Sequence, residues 1–380
     1  MPKSNEIYLD YAASISANPS SIHSLGVDAK KKLENARGEV ANILGARTFE
    51  VIFTSGGTES NNLAIQGVVL ASFSKKLPHI ITTNIEHSSV LETFKLLAKR
   101  KIARISIIGV EINGIVDPKK IKKQIRKDTM LISVNYANNE IGTIQPLKEI
   151  AKEIRHYKKI NKRKNIFFHT DAVQTANYLD LNVEKLGVDM LTLSGSKIED
   201  AGRIGVLFKK ECVSLANIFG GGDQEGGMRP GTENLPEILK FSAALKSAQK
   251  IKEKEYRRLI KLRDYFFKKL LKLKNQNFNF LVNGDLKNRL PNNVNITVPN
   301  IPSDLLVIEL SARGIMASAK SACKAGDGKA SYVIKAINKN IKETDGSLRF
   351  SLGRQTTKND INYTVKALSE ILTKLKKWYN

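Results

Sequence analysis

Between Glu50 and Lys209 the chain alternates short apolar, β-branched runs with amphipathic helical stretches, and this alternation limits the fold more than any other feature. "EVIFTSGG", "HIITTNIEH", "ARISIIGV", "MLISVNYANNEIG", "NIFFHTDAVQ", "DMLTLSGSK" and "RIGVLFKK" read as strands. "TESNNLAIQGVVLASF", "SSVLETFKLLAKR", "DPKKIKKQIRK" and "LKEIAKEIRHYKK" read as the helices between them. Strands joined through helices build a mostly parallel sheet with helices on both faces. The expected fold is therefore α/β, with a mostly parallel sheet of seven strands. In such sheets ligands collect beyond the carboxyl ends of the strands.

After the glycine-rich "FGGGDQEGGMRPGTEN" the pattern changes. A long helix is predicted from about Pro236 to about Lys274, then "NNVNITVP", "SDLLVIELSARG", "SLRFSLGR" and a final helix from "KNDINYTVKALSEILTKLKKW". The expected organisation is a large domain over 15–250 and a smaller α+β domain from 1–14 and 251–380. A chain of 380 residues has room for both.

Composition narrows the class. Hydrophobic content of 41% and charged content of 26% fit a soluble globular protein. No apolar run reaches membrane length, and "MPKSNEIYLDYAAS" lacks the apolar region of a signal peptide. Two cysteines, Cys212 and Cys323, make no disulfide framework, so a cytoplasmic, reducing location is expected. The net charge of +25 raises the question of nucleic acid. The lysines are spread through helical stretches and read as solvated faces, so direct nucleic-acid binding is not expected. Attraction to RNA or an acidic partner is the alternative.

Several strands end in residues of specific chemical use. Gly56, Gly57 and Thr58 offer backbone amides at a helix start, a seat for an anion. The competing reading is an ordinary turn with Thr58 as N-cap. His87 ends a second strand and is read either as structural or as a site residue. Asn138 and Asn139 end a third, as turn formers or as donors. Asp171 and Gln174 follow a fourth, where a buried aspartate needs a partner or serves as a helix N-cap. Ser194, Ser196 and Lys197 end a fifth. A lysine closing what reads as a buried strand either reaches solvent by its flexible stem or is held in a covalent bond to a carbonyl compound. A phosphate seat, a carboxylate, a flat histidine and a lysine on one sheet edge are what pyridoxal phosphate asks for. The carboxylate keeps the pyridine nitrogen protonated and the lysine forms the Schiff base.

The motifs "YLDYAA", "NPSSIHSLG", "FTSGGTESNN", "EHSSV", "NNEIG", "HTDAVQ", "SGSK", "GGMRPGTEN", "SACK" and "RFSLGR" occur in this order over essentially the whole chain. In this the chain resembles the cysteine desulfurases of the IscS/NifS type, in the class V aminotransferase group of pyridoxal phosphate enzymes of fold type I. The resemblance implies that Lys197 binds the cofactor and moves the substrate proton, and that Asp171 and Gln174 hold the ring nitrogen and ring hydroxyl. It implies a stacking and proton-transfer role for His87, and phosphate contacts from Gly57, Thr58 and Ser194. Thr232 is implied as a phosphate contact from the other subunit of a homodimer. Arg349 is implied as the clamp on the substrate carboxylate, with Asn139 beside it. Cys323 is implied as the nucleophile that takes sulfur from L-cysteine. The segment around it, rich in Ala, Ser, Gly and Lys, also reads by itself as an exposed loop, with Lys320 and Lys324 favouring the thiolate. Cys212 reads as a structural, buried cysteine.

The implied activity converts L-cysteine to L-alanine and passes sulfur, as a persulfide on Cys323, to acceptors for iron–sulfur cluster assembly or tRNA thiolation. An iron–sulfur scaffold protein is thus an expected partner. Departures from the family pattern are Ser196 where a histidine is usual, "IEDAG" after the lysine, Pro230 after Arg229, Lys320 in place of a glycine, and a shorter N-terminal region. A hydroxyl at Ser196 still donates to phosphate, while "IEDAG" brings Glu199 and Asp200 close to the site. The alternatives are another enzyme of the same fold, such as a selenocysteine lyase or an aminotransferase, or a non-catalytic scaffold for sulfur assembly.

Overall fold

The residues described by the structure, a computed structural model, are 7–15, 17–72, 77–163, 165–274, 278–319 and 331–379. The alternating region folds into seven strands: β1 (Val51–Thr54), β2 (His79–Thr83), β3 (Arg104–Ile108), β4 (Thr129–Ser133), β5 (Phe167–Asp171), β6 (Met190–Ser194) and β7 (Gly205–Lys209). They lie in the order β1-β7-β6-β5-β4-β2-β3. Strands β2 to β6 pair in parallel, and β7 runs antiparallel to both of its neighbours, β1 and β6.

The strands are apolar on both faces, as a covered sheet requires. Val51, Phe53, Leu191, Leu193, Val206 and Phe208 point into one core, while Ile52, Met190 and Leu207 point into the other. Two helices, α2 (Gly57–Ala71) and α3 (Ser88–Lys99), fill the second core through Leu63, Ile65, Val68 and Phe94. The first is filled by α1 (Ser24–Leu44), α4 (Pro118–Gln124), α5 (Leu147–Ile160), α6 (Val183–Leu186) and the start of α7 (Leu235–Lys274).

A second, antiparallel sheet has three strands, β8 (Leu281–Val282), β9 (Asn293–Val298) and β10 (Gly346–Ser351), in the order β10-β9-β8. It packs with α8 (Ser303–Ser311) and α10 (Lys358–Tyr379), and a short helix, α9 (Tyr332–Ile337), stands nearby against Ile85 and Ile141. The two sheets share α7. Its 40 residues span about 60 Å at 1.5 Å per residue. Ile238, Phe241, Leu245 and Ala248 belong to the first core of the large sheet, and Leu259, Phe266, Leu270 and Leu273 to the core of the three-stranded sheet. None of its buried residues falls between Ala248 and Leu259.

No helix among the described residues is long and apolar enough to cross a membrane. Cys212 is exposed, contrary to the reading of it as a buried structural residue, because it follows β7 on a surface turn. Cys323 and its neighbours Lys320 and Lys324 lie outside the described residues.

Candidate active site

A cavity of about 460 Å³ opens at the carboxyl ends of β1, β2, β4, β5 and β6, lined by the last residues of β5 and β6 and by residues that follow the other three. Gly57 and Thr58 line it from the first turn of α2. The N-cap of that helix is Gly56, which has no side chain to offer, so Thr58 is not the cap. The first amides of the helix are left to bind an anion, helped by the positive end of the helix dipole. Gly57 is also fixed by space. A Cβ there would sit 2.8 Å from Val173 Cγ2 and 3.4 Å from Ser194 Cβ. Ser194 and Ser196 line the same side, their hydroxyl oxygens 3.0 Å apart.

Asp171 closes β5 on the cavity floor and is almost fully buried. Among the described residues it has no cationic partner and caps no helix. Its Oδ1 accepts from the amide of Val173 at 3.0 Å and its Oδ2 from Asn61 Nδ2 at 2.8 Å. Both donors suit a carboxylate, which only accepts. Asn61 was not legible as a site residue. It lies one helical turn beyond Gly57, in the polar first half of α2, and is itself buried. The one sequence signal was a polar residue in the buried stripe of α2.

His87 is the N-cap of α3, which satisfies the structural reading without excluding the other. Its Nδ1 accepts from the amide of Ser89 at 3.2 Å and lies 2.8 Å from Ser89 Oγ. Nε2 has no partner among the described residues and is left for the cavity that His87 lines. Asn138 is a loop builder. Its Oδ1 accepts from the amides of Glu140 and Ile141, and its Nδ2 donates to the carbonyl of Ile85. Asn139 and Gln174 line the cavity directly.

Lys197 sits in a 3-10 turn, Gly195–Lys197, and is exposed. The argument that burial forces its charge to be masked therefore fails. The five residues of β6 are buried, but the turn that follows carries the lysine out to the rim, as the solvent-reaching alternative held. Its side chain lines the cavity. Its carbonyl accepts from Asn177 Nδ2 at 2.7 Å, which holds the turn in place.

Arg349 enters from β10, so the second sheet completes the site. Its Nη1 donates to the carbonyl of Asn139 at 3.1 Å, and its Nε is buried without a partner among the described residues. Burial pulls the guanidinium below its usual value, and Glu140 opposes this. Further orphaned atoms belong to lining residues: Asn61 Oδ1, Asn135 Oδ1, Asn177 Oδ1 and Asn292 Oδ1. Buried polar atoms in a folded protein are nearly always paired, so this cluster is a surface made for a polar ligand.

Thr232 does not line the cavity of its own chain and is exposed on the glycine-rich loop. Glu199 and Asp200 do not line it either. Glu199 pairs with Arg354 at 2.9 Å beside a neighbouring groove, and Asp200 takes a left-handed turn with φ 64°. Asparagine and aspartate tolerate that region better than most residues.

Fold and site together define a class of enzyme that closes on a small, charged ligand at a sheet edge. The chain belongs to the aminotransferase class-V family, whose model matches residues 3–364. That family and the cysteine desulfurases in it are pyridoxal phosphate enzymes. A cysteine desulfurase IscS of Dictyoglomus turgidum is 40% identical over 98% of this chain and 95% of its own length. A solved NifS-like protein is 32% identical, with a TM-score of 0.85 over 94% of this chain and 92% of that one. A solved SspA in complex with cysteine is 30% identical, with a TM-score of 0.72 over 88% of this chain and 90% of that one.

Proposed function

We propose that this protein is a pyridoxal phosphate-dependent cysteine desulfurase that converts L-cysteine to L-alanine and hands on the sulfur. One observation carries the reading: Lys197, Asp171, His87, Arg349 and the amide end of α2 line a single cavity. The donor set fits the cofactor. Gly57, Thr58, Ser194 and Ser196 would hold its phosphate, Asp171 its ring nitrogen, Gln174 its ring hydroxyl and His87 its ring face. When bound, the cofactor supplies a carbonyl that condenses with amines and a ring that accepts the electron pair of a carbanion.

The chain's own residues do the rest. Arg349 and Asn139 hold the substrate carboxylate, a match for a planar, forked guanidinium. Lys197 Nζ takes the proton from the substrate α-carbon and returns one to the product. His87, oriented through Nδ1, keeps Nε2 for a second proton transfer. The Cys323 thiolate bonds to the substrate sulfur as the carbon–sulfur bond breaks, and carries a persulfide away. The ends flanking residues 320–330 support this role for Cys323. Ser318 exchanges backbone hydrogen bonds with Arg349, and the Ser331 hydroxyl donates to Glu140, next to Asn139. Both ends are thus fixed beside the cavity.

A homodimer with Thr232 serving the partner's site agrees with its exposed position. It agrees also with the exposed apolar residues Ile7, Leu9, Ile15, Ile22, Phe49 and Phe219. Iron–sulfur cluster assembly in the cytoplasm is the destination of the sulfur on this reading, with a scaffold protein as acceptor.

The test is direct. Purified protein given pyridoxal phosphate is expected to show a visible absorption band and to release alanine from L-cysteine. A colourless, inactive protein would overturn the reading. Within it, Asp171→Asn is expected to keep the cofactor and lose about 2–4 kcal/mol of transition-state stabilisation, as for one preorganised electrostatic partner. Steady-state kcat/KM measures this, and an unchanged value removes Asp171 from the role.

A further inference from the structure

Glu86 precedes His87 and has no exposure to solvent. Among the described residues, these neighbours pack on it. Thr83, at the end of β2, donates its hydroxyl to Oε1 at 2.5 Å. The backbone of Asn135, after β4, favours its charged form, though less than burial opposes it. Asp171, at the end of β5, faces it as a second acid. Tyr332 of α9 donates its hydroxyl to the carbonyl of Glu86. No cation appears among these neighbours.

Among the described residues Glu86 Oε2, buried like the rest of the side chain, has no partner. An ionised carboxylate there would leave a bare charge in a dry interior, with the Asp171 charge adding to the cost. One proton on Oε2 removes that charge and leaves Oε1 to accept from Thr83.

Resting on the reading of the cavity as the active site, we propose that Glu86 is a positioning residue kept as a neutral acid. Its Oε1, held by the Thr83 hydroxyl, keeps the turn before His87 in place, and its neutrality leaves Asp171 as the single anion on the cavity floor. Burial, with the Asp171 charge adding, pushes the Glu86 carboxyl up to about 8. Paired acids set apart in this way are a common means of giving two carboxyls different tasks.

The sign for stability follows. In the folded chain Glu86 holds its proton up to about pH 8, while in the unfolded chain it loses it near 4.5. The folded state binds the extra proton between these values, so its stability falls as pH rises across that window and levels off above it. Glu86→Gln lacks this term.

The first measurement is the melting temperature of cofactor-free protein from pH 5 to 9. The wild type is expected to lose ground to Glu86→Gln up to about pH 8 and to run parallel above. The comparison cancels the buried His79 and His169, which burial lowers to about 4 and about 3. Parallel curves throughout would overturn the neutral acid. The second measurement is pyridoxal phosphate affinity by its visible absorption. Glu86→Leu, which removes the acceptor of the Thr83 hydroxyl, is expected to bind about tenfold more weakly, and Glu86→Gln, which keeps an acceptor there, to recover most of this. Equal affinities in the two variants would overturn the positioning role. A wild type that binds no cofactor defeats the functional reading instead, while the melting curves still decide the proton.

Discussion

Lys197→Ala is expected to stop alanine release from L-cysteine, with a loss of at least roughly a thousandfold, as for removal of a group that moves the reacting proton. The fold should be untouched. The side chain is exposed, and the one hydrogen bond that fixes its turn is to its backbone carbonyl. A surface truncation of this kind changes stability by no more than about 0.5 kcal/mol. Melting temperature and alanine assay, measured on the same preparation, therefore separate chemistry from unfolding. Wild-type turnover in the variant would move the amine elsewhere.

Cys323→Ser is expected to bind pyridoxal phosphate and L-cysteine normally and to carry no sulfur. Lys197, Asp171 and Arg349 are intact in it, but a hydroxyl at neutral pH is a far weaker nucleophile than a thiolate. The control matters more than the sequence implied, because Cys212 is exposed and free. A free thiol at the surface can take the outer sulfur of a persulfide by exchange, leaving the donor as a thiol. Mass mapping after brief exposure to L-cysteine should place one added sulfur on Cys323 in the wild type and in Cys212→Ser. Sulfur on Cys212 alone would remove Cys323 as the nucleophile.

Much of this site was readable because its residues end strands. A strand shows itself as an apolar run, and the polar residue that stops the run is conspicuous, as with Asp171, Ser194 and Thr58. Asn61 shows the limit. Its partner Asp171 is 110 positions away, and only the packing of α2 across β5 joins them. Lys197 shows a different limit. Strand periodicity reports how buried a strand is, not which way the next turn points, so the strand pattern alone left open whether the lysine reaches solvent, as it does. The competing reading of Thr58 as a cap rested on threonine suiting that position, yet the cap is Gly56 and the helix starts at Gly57. The two sheets were foreseen as a change of pattern after the glycine-rich loop. Their joining by one unbroken helix is visible only in three dimensions.

The placing of α1 and β1 sets an order on biosynthesis. α1 packs its Leu33, Val40 and Leu44 in the core that Phe241 and Leu245 complete, and Glu39 accepts from Ser242 and Lys246. β1 has a single neighbour in the sheet, β7, whose residues follow it by about 150 positions. Ribosomes add about 5–20 residues per second, so these first elements wait on the order of ten to forty seconds for their partners. α1 and β1 are thus made well before the residues that enclose them, and their apolar faces are stretches a chaperone would meet in that interval.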